Sequence, residues 1–149
     1  MAKLISTEKN NGQLSDLNRQ VIQYIDQYLP GYYDDYLSEE SNFQVWYQLS
    51  ELRTGLLSWY SFEKNAQVLE IGAGFGALTG LLCEKCGQVT ATERSVPRAE
   101  AIAKRWADKE NLTVCGGEWS EMDFGCRFDY IILTGVLERI AGGSSETEK

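Results

Sequence analysis

Residues Gln67 to Glu93 read QVLEIGAGFGALTGLLCEKCGQVTATE. Val68-Leu69-Glu70-Ile71 is a short apolar run that carries one acid, and Gly72-Ala73-Gly74-Phe75-Gly76 is a glycine-rich turn. Ala77 to Cys86 has helical composition and stops at Gly87; Val89-Thr90-Ala91-Thr92 is a second apolar run, closed by Glu93. Strand, glycine turn, helix, strand and acid, in that order, predict the first unit of a nucleotide-binding α/β sheet.

Downstream, Ser95-Val96-Pro97-Arg98 starts a helix with proline in its first turn, and Ala99, Ile102, Ala103 and Trp106 share one face of it. Leu112 to Cys115 is a third strand, Gly116-Gly117-Glu118-Trp119 a turn, and Phe128 to Thr134 a fourth strand apolar enough for a sheet interior. Gly135 to Ile140 begins another helix, and 141–149 reads as a flexible tail. Upstream, residues 1–13 are polar and expected to be disordered. Leu14, Leu17, Val21, Ile25 and Tyr28 mark a helix face, capped by Ser15 or Asp16 and ended at Pro30-Gly31. The aromatic and acidic stretch 32–40 is a surface connector or a lid. Ser41-Asn42-Phe43-Gln44 has the S-x-x-Q form of a capping box. The helix it opens turns Val45/Trp46, Leu49, Leu52/Arg53, Leu56/Leu57 and Tyr60 inward, with a bend at Gly55. The expected division is therefore a helical segment over 14–61 and a sheet core over 62–140. Alternating strands and helices with right-handed crossovers give an α/β fold, a parallel sheet covered by helices on both faces.

The chain of 149 residues suits one domain, and 43% hydrophobic and 24% charged residues are ordinary for a globular protein. A net charge of −8 argues against nucleic acid as the main partner, because phosphate binding needs clustered Lys and Arg. No stretch approaches the ~20 apolar residues that span a bilayer, and the N-terminus lacks an apolar core of signal-peptide length. The expectation is a cytoplasmic protein without membrane insertion. Cys83 and Cys86 have C-x-x-C spacing, yet no second pair accompanies them and the chain has no His. Reduced thiols are expected, and no metal site. The lack of His also removes Ser-His-Asp and Cys-His nucleophilic schemes.

Glycines at a strand-to-helix junction tolerate positive φ and let backbone approach a ligand, and a helix N-terminus adds unpaired N–H groups. Glu93, at the end of the second strand, suits the two hydroxyls of a ribose. Gly72-Ala73-Gly74-Phe75-Gly76-Ala77 satisfies G-x-G-x-x-G/A, so a nicotinamide-dinucleotide domain fits the turn.

Glu70 stands two residues before Gly72, and Glu-Ile-Gly-Ala-Gly-Phe-Gly resembles the E/D-x-G-x-G-x-G signature of class I S-adenosylmethionine (SAM)-dependent methyltransferases. The resemblance runs from about Phe62 to Ile140. It includes Glu93 as the acidic ribose ligand, Gly117-Glu118-Trp119 at the adenine turn, and Phe128 to Glu138 as the fourth strand and following turn. It implies a Rossmann-like sheet, SAM as cofactor and S-adenosylhomocysteine (SAH) as product. The backbone of Gly72, Ala73, Gly74, Phe75 and Gly76 would line the methionine end, with Glu70 ordering the loop or reaching the methionine ammonium. Glu93 would hold the ribose, Arg94 the adenine edge, and Glu118 and Trp119 the adenine. Thr134 and Gly135 would wall the sulfonium.

Departures from the family pattern limit what the resemblance carries. Leu137-Glu138-Arg139-Ile140 stands where many members have Leu-Glu-His-Ile, and no Asn-Pro-Pro-Tyr-like sequence follows the strand. No catalytic base can be named beyond the guesses Glu138 or a connector tyrosine. About four strands of a seven-strand sheet are expected, which implies a truncated domain or part of a longer protein. The open edge favours a homodimer or a further C-terminal domain. The N-terminal helices together with this core are similar to methyltransferase-type domains fused to glycosyltransferases in bacterial surface-polysaccharide enzymes, implying a small-molecule or saccharide acceptor. A non-catalytic SAM/SAH-binding module and an NAD-binding oxidoreductase domain are the alternatives.

Overall fold

The computed structural model describes residues 1–6, 14–28 and 31–137. Its centre is a parallel sheet with strand order β1-β4-β3-β2-β5, formed by β1 (Lys3–Ser6), β2 (Gln67–Ile71), β3 (Gln88–Glu93), β4 (Leu112–Gly116) and β5 (Tyr130–Leu133). β2 and β3 are buried after their first residue, as strands covered on both faces must be. The chain runs β2, β3, β4 outward in one direction and then returns to place β5 on the other side of β2. That reversal opens a crevice at the carboxyl ends of the strands, the place where open α/β sheets take their ligands. In register, Ile71 lies opposite Thr92 and Leu133, and Glu93 opposite Gly116. Gly72, Arg94, Gly117 and Thr134 therefore leave the sheet at one margin.

Helices α4 (Thr79–Lys85) and α5 (Val96–Arg105) supply the crossovers. Val68, Leu82, Val89, Ile102, Trp106 and Val114 form the main core. A second cluster joins α1 (Asp16–Gln27), α2 (Asp34–Leu37) and α3 (Phe43–Leu49) to α5 through Val21, Ile25, Tyr33, Leu37, Val45 and Leu49. Phe75 of the glycine turn and Ala101 of α5 belong to this cluster too, so the N-terminal helices pack on the turn itself. Ser15 caps α1, its hydroxyl accepting from the Asn18 N–H. No described helix is long and apolar enough to cross a membrane.

The α/β parallel sheet with N-terminal helices is as expected; several elements differ in detail. Five strands are present rather than about four, because Lys3–Ser6 pairs with β4 from Lys3↔Thr113 to Ser6↔Gly116. All four of its residues are exposed, so neither burial nor alternation marks this strand where disorder was expected over 1–13. The rest of that stretch, 7–13, lies outside the described residues, as do the helix expected over 138–140 and the tail 141–149.

The helix expected from Ser41 to Tyr60 is broken. Asn42, not Ser41, caps it, accepting from the Gln44 N–H at 3.0 Å. α3 ends at Leu49, and a 3₁₀ helix, Glu51–Leu56, starts after an extended Ser50. Ser50 Oγ accepts from the Leu52 N–H and Asp34 Oδ1 from the Glu51 N–H. A capped new start thus competes with helix continuation, and Leu52 and Leu56 face outward. α4 begins at Thr79, two residues later than expected, after a run of turns. β5, apolar enough for a sheet interior, is an edge strand among the described residues, and Ile131 is 55% exposed. The stretch 32–40 is a packed connector, with Tyr33 and Leu37 buried. Cys83 lies in the main core, where burial pushes its thiol up to about 12.

Candidate functional site

A cavity of about 520 Å³ occupies the crevice at the strand ends. Gly72, Ala73 and Gly74 line it from the turn after β2, Glu93 and Arg94 from the end of β3, Gly117, Glu118 and Trp119 from the turn after β4, and Thr134 and Gly135 from the end of β5. Nine of the twelve residues singled out in the sequence, all but Glu70, Phe75 and Gly76, thus share one wall.

The turn is held open by backbone geometry. Gly72, Gly74 and Gly76 have φ of 71°, 65° and 76°, values that favour glycine. The Gly72 and Ala73 N–H groups both donate to the Thr92 carbonyl at 2.9 Å. A Cβ on Gly72 would stand 2.5 Å from Val136 Cγ2, so close packing adds to the conformational demand.

Glu93 is 7% exposed. Its Oε2 accepts from the Gly74 N–H at 3.0 Å and its Oε1 from the Ser95 N–H at 2.9 Å. One carboxylate therefore pins both the glycine turn and the start of α5, and each oxygen keeps a further lone pair for a ligand. Beside it Arg94 meets Glu118 at 3.7 Å. Trp119 stands on the wall, 37% exposed, rather than in the core.

Three of the residues singled out in the sequence do not line the cavity. Glu70 is 3% exposed, does not line the cavity and accepts from Thr79 Oγ1 at 2.6 Å. Burial pushes its carboxyl up to about 7, against the Thr79 hydrogen bond and the positive charges of Arg53 and Arg105. The geometry makes Glu70 a brace between β2 and α4. Phe75 is turned into the second core cluster. Gly76 serves Trp106: its carbonyl accepts from the indole N–H at 2.8 Å, and a Cβ there would stand 2.9 Å from Nε1. The cavity also meets the turn's backbone rather than a helix N-terminus, because α4 starts only at Thr79.

Sequence reasoning missed part of the lining. Tyr47, Gln48 and Arg53 come from α3 and the following 3₁₀ helix, and Arg98 from α5. Arg53 was expected on an inward helix face, which is the signal that could have found it. None of residues 32–40 lines the cavity.

No protein-family model matches the chain. Ribosomal RNA small subunit methyltransferase A of Fusobacterium nucleatum is 32% identical over 73 residues, covering 49% of this chain and 28% of that protein. Phosphoethanolamine N-methyltransferase 1 of Haemonchus contortus, solved with phosphoethanolamine and SAH, has a TM-score of 0.53 at 20% identity, covering 85% of this chain and 27% of that one. YjhP of E. coli has a TM-score of 0.51 at 15% identity, covering 60% and 38%. The chain thus spans 28% of the length of the curated relative it matches. Its fold is the Rossmann-like α/β fold of the class I SAM-dependent methyltransferases.

Proposed function

We propose that the cavity binds SAM and that the chain is the cofactor-binding part of a methyltransferase, which passes the sulfonium methyl group to an acceptor and releases SAH. The observation that carries this reading is the setting of Glu93. A nearly buried carboxylate, fixed by two backbone N–H groups, faces the cavity between the glycine turn and Trp119. An acid so placed suits a ribose diol, and its charge would repel a 2′-phosphate.

On this reading the backbone of Gly72, Ala73 and Gly74 meets the methionine end. Glu93 holds the ribose, Arg94, Glu118 and Trp119 frame the adenine, and Thr134 and Gly135 stand near the sulfonium. Glu70, Phe75 and Gly76 act behind the wall. The acceptor's lone pair attacks the methyl carbon, and the S–CH₃ bonding pair returns to sulfur, which becomes the neutral thioether of SAH. Holding the acceptor in line with that bond supplies most of the acceleration, and a base is needed only where the acceptor carries a proton to lose.

Net charge argued against nucleic acid, but the Fusobacterium relative is named as a ribosomal RNA methyltransferase. RNA therefore joins small molecules and saccharides as an acceptor class, and the exclusion is not upheld. A saccharide acceptor within a larger surface-polysaccharide enzyme rests only on the resemblance of the N-terminal helices and core.

Trp119 provides the test. Titration with SAH should change tryptophan fluorescence saturably, and NADH should neither reproduce nor compete with the change. Saturable binding of NADH that SAH does not displace would replace this reading with a nicotinamide-binding one.

A further inference from the structure

Two walls of the cavity come from different layers of the fold. One is the turn after β2, through Gly72, Ala73 and Gly74; the other is Tyr47 and Gln48 of α3. They stand close together, with Gln48 Oε1 3.9 Å from the position a Cβ on Gly74 would take. The turn is anchored on its sheet side, by bonds from the Gly72 and Ala73 N–H groups to the Thr92 carbonyl and from the Gly74 N–H to Glu93. α3 packs through Val45 and Leu49 on the second core cluster, which the Phe75 ring shares. Apolar contacts of that kind have no direction. They hold α3 against the domain without fixing how far Gln48 stands from the turn.

A directional link is made behind the walls. Arg105, the last residue of α5, donates from one nitrogen, Nη1, to the Gln48 carbonyl at 3.2 Å and to the Phe75 carbonyl at 3.0 Å. The first carbonyl belongs to a residue of the α3 wall, the second to the residue that follows Gly74. Nη2 donates to the next α3 carbonyl, that of Leu49, at 2.8 Å, and Nε to that of Gly31 at 3.1 Å.

A guanidinium is flat, and its N–H donors leave it in fixed directions. The carbonyls of α3 and of the turn are therefore held around one rigid fork. Arg105 is 1% exposed and does not line the cavity. It reaches a ligand only through the walls that it ties together.

We infer that Arg105 is a positioning residue of the cavity: it sets the spacing between α3 and the glycine turn, so that both walls are in place before a ligand enters. That spacing governs affinity. A ligand that binds only the correctly spaced form has its dissociation constant divided by the fraction of chains in that form. The spacing does not depend on which ligand fills the cavity; the choice of SAH as probe rests on the function proposed above.

The test compares wild type with Arg105→Met, Arg105→Lys and Leu112→Ala, each shown folded by circular dichroism and held well below its unfolding temperature. Leu112 is 2% exposed at the start of β4, the end of that strand away from the cavity, so its truncation lowers stability and leaves both walls alone. SAH affinity is measured by calorimetry, and amide hydrogen exchange is followed in 43–49 and 72–76. Arg105→Met should weaken SAH about tenfold or more and speed exchange in both segments together. Arg105→Lys should fall between Arg105→Met and wild type, because an ammonium keeps the charge and offers fewer donors without the fork. Leu112→Ala should bind SAH as wild type does, which separates positioning from a general loss of stability. If Arg105→Met does not fold, Arg105→Lys decides by the same signs. If wild type binds no SAH but the two segments still loosen together in the Arg105 variants, the SAM reading falls and the positioning role stands. Wild-type SAH affinity in the Arg105 variants, an equal loss in Leu112→Ala, or loosening of 43–49 with 72–76 unaffected overturns the positioning role.

Discussion

Arg105 donates an Nη1–H to the Phe75 carbonyl at 3.0 Å, tying the end of α5 to the glycine turn. The same group donates to Gln48 at 3.2 Å, Nη2 to the Leu49 carbonyl at 2.8 Å, and Nε to the Gly31 carbonyl at 3.1 Å. Arg105 is 1% exposed, and no carboxylate pairs with it among the described residues. Carbonyl dipoles and the rings of Tyr33 and Trp106, each 5.1 Å away, replace the counter-ion. Burial lowers its guanidinium to about 10, which leaves it charged at neutral pH. One side chain thus fixes the connector, the end of α3 and the turn that lines the cavity.

Arg105→Met should therefore cost about 3 kcal/mol or more, because it strands several buried carbonyls at once. Arg105→Lys should cost less, since its charge remains but one ammonium cannot replace the whole fork. Urea unfolding at neutral pH measures both. A loss below about 1 kcal/mol for Arg105→Met would show that the carbonyls find other partners.

Gly80 offers a case in which packing and propensity oppose each other. Alanine in a helix is favoured over glycine by about 1 kcal/mol. A Cβ at Gly80 would however fall 2.3–2.6 Å from three atoms of the Trp106 ring, which is 1% exposed and anchored to the Gly76 carbonyl. Overpacking of a fixed ring should win, and Gly80→Ala should lose about 2 kcal/mol or more in thermal or urea unfolding. A stabilised variant would mean that the ring can move.

Glu70 should make stability fall as pH rises. Burial lifts its carboxyl from 4.5 to about 7 in the folded chain, so between those values the native state binds more protons than the unfolded state. Its contribution is favourable in acid and is lost as pH passes through about 7, by roughly 3 kcal/mol in all. Glu70→Gln keeps an acceptor for Thr79 and removes the titration. Urea unfolding across the window should show the variant gaining on wild type as pH rises; a constant difference would place the Glu70 carboxyl near its ordinary range.

Trp119 is on the wall and half-exposed, so its removal should touch binding and spare the fold. Trp119→Ala should weaken SAH about tenfold, the scale of one lost aromatic contact with a base, and shift stability by no more than about 0.5 kcal/mol. A large loss of stability with unchanged SAH affinity would assign it to structure instead.

The sheet centre was legible because two fully covered strands, a glycine turn and an acid leave a dense local pattern between Gln67 and Glu93. Lys3–Ser6 was not, since an exposed edge strand needs no apolar side chains and is specified by its partner β4. The break at Ser50 hid for a similar reason: the competing cap on the Glu51 N–H comes from Asp34, distant in sequence. Glycine spacing could not say which glycine faces a ligand and which faces Trp106. Nor could a polar residue on a helix face announce that Arg105 would be buried, because its partners are backbone carbonyls that carry no sequence signal.

Calorimetric titration of the folded chain with SAH, beside Glu93→Ala, tests the cavity assignment most directly. Saturable binding of one SAH per chain is expected, weakened about tenfold or more in Glu93→Ala, which removes the carboxylate proposed to hold the ribose. Absence of any binding heat across temperatures, with the wild-type chain folded by circular dichroism and no SAH retained in equilibrium dialysis, would contradict it.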